Sequence, residues 1–416
     1  DLAAVESTAA EAGVQIAAVA DTHVHNDYVS GALGLARRHG ADYLLSAEER
    51  VDFERVGVRD GDVVPVGGLD VRVVDTPGHT RHHQSFVATH GDRPGAVFSG
   101  GSLLHGTVGR TDLVDDRLTG ALAAAQWASA RVLASLPPTT RLHPTHGFGS
   151  FCASTTTDVG GGEVTIGDEL ARNPALLTGR EQFVATLVAG FGPIPAYYEH
   201  MGQLNRAGAG RGLPRPAGAL TADELTRAVA RGAWLVDLRS RARYAQAHLP
   251  GSVNVEYSAQ FATYAGWLVP WREELVLLTD TTREVAPALR DLAGIGIEGV
   301  GTHVLDTSAS LPASYRRTDW PGFRDTAGPR VVVDVRQRDE FEDGHLPGAI
   351  HLPVQDVEVR LASLPPGELW VHCRSGYRAG IAASLLERAG RRVVHVDDDW
   401  ARVGELSIPT TRGLAA

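Results

Sequence analysis

Apolar residues recur at helical spacing over 2–12, 31–39 and 119–135, while short apolar or alternating runs at 14–20, 86–89 and 96–99 read as strands. Over 63–74 the alternation predicts two antiparallel strands that turn at Gly67 and Gly68. The helix over 119–135 precedes a strand whose end carries His146. Residues 183–198 are apolar but broken by Gly192, Pro193 and Pro195, which predicts a packed surface arm and not a membrane helix. Pro214 and Pro216, with glycines beside them, mark a linker.

Beyond the linker the chain repeats itself. Asp237, Leu238 and Arg239 return as Asp334, Val335 and Arg336, and Tyr244 and His248–Gly251 return as Phe341 and His345–Gly348, always 97 positions later. A constant offset predicts two tandem α/β domains, each opening with a buried strand that ends in Asp and Arg. The expected division is 1–212, 213–318 and 319–416, in line with the two or three cores that 416 residues predict.

A net charge of -11 argues against nucleic acid or an anionic membrane as partner, and favours small molecules or proteins. Cys152 and Cys373 are the two cysteines, which excludes a disulfide scaffold and fits a reducing cytoplasm. No apolar run reaches the roughly 18 residues of a membrane span. All 39 basic residues are arginine, a coding bias that carries no functional information.

Candidate chemistry lies in two places. His23, His25 and Asp27 stand in one short loop, and His79 and His146 each lie beside turn-forming residues, so imidazoles from separate strand ends can converge. Such a set suits zinc or Fe(II) better than magnesium or calcium. His82 and His83 read as solvated, and His105 as facing the site. Cys152, six residues after His146, either lines the same pocket and holds a substrate sulfur or is a small buried apolar residue. In the second repeat, Cys373 follows a buried strand and precedes a helix. Backbone N–H groups of Ser375, Gly376 and Tyr377, with the charges of Arg374 and Arg378, would there stabilise an anionic sulfur.

The Asp334–Arg336 and His345–Gly348 runs and the Cys373–Arg378 loop resemble a rhodanese domain over about 326–416. The resemblance implies that Cys373 takes sulfane sulfur as a persulfide and passes it to a thiol, with Arg374 and Arg378 holding the loop and its anionic cargo. The first repeat has Leu277–Thr281 where the cysteine would come, so it reads as a degenerate rhodanese with a structural role. The histidine segments, with Gly109–Leu113 and Pro144–Gly149, are similar to the metallo-β-lactamase fold, nearest its persulfide dioxygenase and glyoxalase II branch.

That likeness implies an αββα sandwich whose first strands would precede Asp1, followed by two rhodanese-like α/β domains. Two positions depart from it. Tyr28 replaces the histidine that would follow Asp27, and Gly101 replaces an aspartate that would bridge two zincs or complete an iron site. His23, His25 and His79 are then expected to form a three-histidine zinc site, with Asp27 and His146 nearby and Tyr28 toward the substrate. If Asp27 moves in as the missing carboxylate, iron becomes the alternative.

The expected protein is a cytoplasmic, homodimeric sulfurtransferase fused to an altered metal domain that acts on a low-molecular-weight thiol persulfide of glutathione, mycothiol or coenzyme A type. The alternatives are a zinc-dependent thioester hydrolase and a metal domain serving as a non-catalytic scaffold.

Overall fold

The computed structural model describes residues 2–91, 95–146, 163–208, 218–306 and 311–413. The chain divides into two compact units, Asp1–Leu213 and Pro214–Ala416. The predicted linker prolines, Pro214 and Pro216, lie outside the described residues.

The first unit starts with α1 (Leu2–Glu11), β1 (Ala18–Ala20), α2 (Ala32–His39), β2 (Asp42–Ser46) and β3 (Val56–Val58). These three strands pair in parallel in the order β1-β2-β3. A second sheet holds β4 (Val63–Val66), β5 (Leu69–Asp75), β6 (Gln84–Thr89) and β7 (Ala96–Gly100) antiparallel, with β8 (Arg141–Pro144) parallel beside β7. The helices α3 (Thr119–Ala134), α4 (Ile166–Arg172), α5 (Pro174–Leu177), α6 (Arg180–Ala189) and α7 (Tyr198–Arg206) complete it.

Strand alternation sorts the side chains into layers. Leu44 and Val58 of the first sheet meet Val73 and Phe86 of the second, whereas Tyr43 and Leu45 turn the other way, toward Leu33 and Ala36 of α2. Val74 and Val87, one position on from Val73 and Phe86, pack with Ala123, Ala130 and Leu133 of α3 and Phe183 and Leu187 of α6. Helix, sheet, sheet and helix therefore stack in that order. Each fully buried aliphatic or aromatic side chain contributes about 1.5–3 kcal/mol to holding the layers. The stretch predicted as a packed arm supplies α6, which stops at Gly190. No described helix is long and apolar enough to cross a membrane. The strand expected over 14–20 is a correction: only Ala18–Ala20 pairs, and Val14 is exposed, because the parallel partner β2 reaches no further back than Asp42.

The second unit contains both repeats. The first has α8 (Ala222–Ala230), β9 (Trp234–Asp237), α9 (Arg241–Gln246), β10 (Val253–Asn254), α10 (Phe261–Leu268), β11 (Leu275–Thr279), α11 (Val285–Gly294) and β12 (Gly301–Val304), in a parallel sheet ordered β10-β9-β11-β12. The second has β13 (Arg316–Thr318), α12 (Trp320–Asp325), β14 (Val331–Asp334), α13 (Arg338–Asp343), β15 (Ile350–His351), α14 (Val357–Arg360), β16 (Leu369–His372), α15 (Tyr377–Arg388), β17 (Val393–Val396) and α16 (Ala401–Glu405), with sheet order β13-β17-β16-β14-β15. All its pairings are parallel.

The repeat is visible atom by atom. Arg239 forks onto Asp237 and reaches the Ala247 carbonyl, and Arg336 does the same with Asp334 and the Gly344 carbonyl. His248 Nδ1 bonds the Tyr244 carbonyl at 2.8 Å, and His345 Nδ1 the Phe341 carbonyl at 2.9 Å. Eight residues of α15 from Ala379 to Leu386 are buried, covering nearly its whole circumference, as expected of a helix enclosed on all sides. One of its neighbours is the first repeat, where Asn254 N–H donates to Ser384 Oγ at 2.9 Å.

Candidate metal centre and thiol site

The five predicted ligand residues of the first unit come together. His23, His25 and Asp27 lie in the loop after β1, His79 in the turn between β5 and β6, and His146 just beyond β8. Two convergent groups result: His23, His79 and His146, and His25, Asp27 and His146, with the ligand atoms of each group within 4.8 Å of one another. The expected trio of His23, His25 and His79 is thus not the set that converges; His146 stands where His25 was expected.

Hydrogen bonds fix which nitrogen of each ring is left for a ligand. His23 Nδ1 lies 2.8 Å from Thr22 Oγ1, His79 Nδ1 is 2.7 Å from the Arg110 carbonyl, and His146 Nδ1 is 3.2 Å from Asp27 Oδ2. Each ring is tied outward through Nδ1, which directs Nε2 inward, the usual outer-shell arrangement of metal-binding histidines. His25 is tied by its other nitrogen: Nε2 lies 3.0 Å from the Tyr28 hydroxyl and 3.5 Å from Asp21 Oδ1. Tyr28 stacks on His25 with ring centroids 4.3 Å apart, so its hydroxyl meets His25 where a ligand histidine was expected.

The electrostatics fit a cation. Burial, followed by the neighbouring imidazoles, pulls His23 well below the usual histidine range, and burial and His146 pull His79 down to about 3, so both are neutral and ligand-competent. Burial resists ionisation of Asp27, yet His146 and the other histidines bring its carboxyl down to about 2. His23 Nε2, His25 Nδ1, Asp27 Oδ1 and His146 Nε2 are buried without a hydrogen-bond partner. Orphaned atoms of this kind are costly unless something binds them.

His83 was missed. It reads as solvated in sequence, but it is 1% exposed and stacks on His23 with centroids 4.8 Å apart. The Gly101 N–H donates to its Nε2 at 2.9 Å, which leaves Nδ1 to donate to Thr76 Oγ1, also at 2.9 Å. Paired polar residues in a turn give no periodicity from which burial could be read. His82 is half-buried, and half-buried His105, 3.4 Å from the Leu142 carbonyl, belongs to neither ligand group. Cys152 lies outside the described residues.

In the second unit, β16 ends at His372 and α15 begins at Tyr377, so Cys373 sits at the strand-to-helix turn. Gly376 has φ +83, and a Cβ there would lie 2.9 Å from Asp397 Cγ, so this tight loop requires glycine. Cys373 is 1% exposed, while Arg374 and Ser375 of the loop are exposed. Arg378 is half-buried and forks onto Glu340 at 2.6 and 2.8 Å. The first repeat reaches this loop: the Tyr377 hydroxyl donates to the Glu256 carbonyl at 3.0 Å, Tyr264 and Tyr377 have centroids 5.7 Å apart, and Arg241 binds Asp397.

The model of the rhodanese-like domain matches residues 221–295 and 324–405. A hydroxyacylglutathione hydrolase of Cereibacter sphaeroides is 30% identical over 210 residues, 45% of this chain and 77% of that protein. The chain belongs to the metallo-β-lactamase-fold and rhodanese fusions. A hydroxyacylglutathione hydrolase of Cupriavidus taiwanensis is 32% identical over 157 residues, 36% of this chain and 56% of that protein. This fusion spans little more than half the length of several hydroxyacylglutathione hydrolases that it matches. A metallo-β-lactamase structure from Staphylococcus aureus superposes with a TM-score of 0.67 at 25% identity, covering 74% of this chain and 90% of that one. The histidine cluster and these relatives together support a divalent metal site.

Proposed function

We propose that the fusion is a sulfurtransferase whose Cys373 carries sulfur between a donor and a low-molecular-weight thiol, with the metal domain acting on the resulting persulfide. The observation that carries this reading is Cys373 at the strand-to-helix turn that opens α15, followed in the loop by the exposed Arg374 and Ser375 and, in the first turn of the helix, by Arg378. With thiosulfate as donor, the Cys373 sulfur attacks the outer sulfur. The sulfur–sulfur bond of thiosulfate breaks, sulfite leaves with the electron pair, and a cysteine persulfide remains. A thiol then takes that sulfur and regenerates Cys373, with no net oxidation. Arg378 and Arg374 favour the anionic donor and the persulfide.

In the metal domain, zinc or Fe(II) would be held by nitrogen from the histidine cluster, and the bound ion would supply Lewis acidity and an acidified water. The neutral, nitrogen-rich donors favour zinc, and with it a second reading in which this domain hydrolyses a thioester of a small thiol, the activity named in its hydroxyacylglutathione hydrolase relatives.

The test is steady-state sulfur transfer from thiosulfate to a thiol by the unaltered chain and Cys373→Ser. The expected result is complete loss in the variant, with the persulfide on Cys373 detected by mass spectrometry in the unaltered chain. Equal turnover by both proteins would overturn the reading.

A further inference from the structure

We infer that this chain binds one divalent ion, through His23, His79 and His146, that Asp27 positions His146 for it, and that His83 and Gly101 close the place of a second ion. This rests on the reading of the histidine cluster as a metal centre. It departs from the expectation that His25 completes the set and that a strand-end carboxylate either bridges two ions or completes an iron site.

The choice of ligands follows from which nitrogen of each ring is spoken for. His23, His79 and His146 are all tied outward through Nδ1, to Thr22 Oγ1, the Arg110 carbonyl and Asp27 Oδ2. The Arg110 carbonyl is itself fixed, because the buried Arg110 side chain forks onto Asp112 at 2.7 Å through both Nε and Nη2. His25 has its Nε2 against Tyr28 and Asp21, and it groups instead with Asp27 and His146. The two convergent groups share His146. An imidazole held by Nδ1 has a single lone pair left at Nε2, so His146 serves one ion at a time.

The second place is closed by packing. A Cβ on Gly101 would stand 2.5 Å from His79 Cγ and 2.9 Å from His79 Nε2, inside contact distance, so a carboxylate there would have to displace a ligand ring. On the neighbouring side His83 has both nitrogens engaged, by the Gly101 N–H and by Thr76 Oγ1. Ser102 Oγ, the next polar atom along the chain, donates to the Thr76 carbonyl at 2.5 Å. The space that would hold a bridging carboxylate is filled by satisfied groups. Asp27 then acts as a positioning residue, a carboxylate behind a ligand histidine.

The experiment is zinc titration of the metal-stripped full chain by calorimetry, with elemental mass spectrometry of the reloaded protein and circular dichroism as the folding control. The expected result is one ion per chain. His146→Ala should lose that ion, Asp27→Ala should weaken it roughly 10–100-fold, and His25→Ala should keep the stoichiometry with little change in affinity. The stoichiometry of the unaltered chain tests the inference even if a variant misfolds. Two ions per chain, or loss of the ion in folded His25→Ala with retention in His146→Ala, overturns this inference and leaves the metal reading standing. Absence of binding by the unaltered chain overturns both.

Discussion

Arg243 of the first repeat is paired with Asp280, and the residue 97 positions after Arg243, Glu340, is paired with Arg378, so one helix position carries opposite charges in the two repeats and each is met by the opposite sign from the segment after the central strand. Strand register makes the comparison firm. Leu278 lies opposite Asp237, and His372 lies opposite Asp334, so the next residues, Thr279 and Cys373, occupy equivalent strand ends. Thr279 is fully buried and donates to the Thr281 carbonyl at 2.9 Å. The first repeat has therefore lost both the sulfur and the cationic loop around it, and Asp280 turns that loop acidic.

Restoring the thiol alone is not expected to restore the chemistry. In a Cys373→Ser background, Thr279→Cys should give no measurable turnover of thiosulfate, because Asp280 repels the anionic donor. Turnover within tenfold of the unaltered chain would show that the acidic loop is not what silences the first repeat.

Much of this was legible in the sequence, and the residues that were not share a cause. Asp237–Arg239 and Asp334–Arg336 announced two buried strand ends, because a carboxylate and a guanidinium two positions apart satisfy each other only where strand geometry brings them together. Alternation placed β4 to β7 for the same local reason. His83 and the identity of the third convergent histidine were not legible. They depend on which ring nitrogen a distant group engages: Arg110 for His79, Tyr28 for His25, the Gly101 backbone for His83. Those partners are set by how loops from different sheets meet, and no spacing rule records that.

Gly101→Asp would supply the carboxylate that the family resemblance leads one to expect and, on that reading alone, would raise metal affinity. The structure reverses the expectation. The added Cβ meets the His79 ring, so the variant should bind zinc more weakly than the unaltered chain and lose about 1–3 kcal/mol of stability, the range for overpacking a filled site. Thermal unfolding of the metal-free proteins and a zinc titration check the two halves; stronger binding with unchanged stability would contradict both.

Asp397 joins the repeats and should make the second unit acid-sensitive. Burial raises its carboxyl, but hydrogen bonds from Arg241 and Arg317 and the charge of His395 more than offset this and hold it below the ordinary 3.8. A carboxyl depressed by folding stabilises fully above its unfolded value, and that contribution disappears as the pH falls through the folded value. The unaltered chain should thus lose part of its thermal stability on acidification below about pH 4, and Asp397→Asn should already be less stable at pH 7 with a flatter acid limb. Parallel limbs for the two proteins from pH 7 to 3 would remove Asp397 from the account.

Exchanging the charges of the Cys373 loop separates its structural role from its chemical one. Arg378→Glu places a second carboxylate beside Glu340, breaking two hydrogen bonds between charged groups, and should cost about 1.5–3 kcal/mol per bond lost. Adding Glu340→Arg puts an arginine at the position equivalent to Arg243 and restores opposite charges across the pair, so the melting temperature should largely recover. Sulfur transfer should not recover, because the positive charge then stands on α13 and the carboxylate on the helix that begins beside Cys373. Stability is expected to depend on the pair and turnover on its polarity. Thermal melts and thiosulfate kinetics on the two single variants and the double variant read these separately. A double variant that regains both would mean that Arg378 only holds the loop in place, and that its charge contributes nothing to capturing the donor.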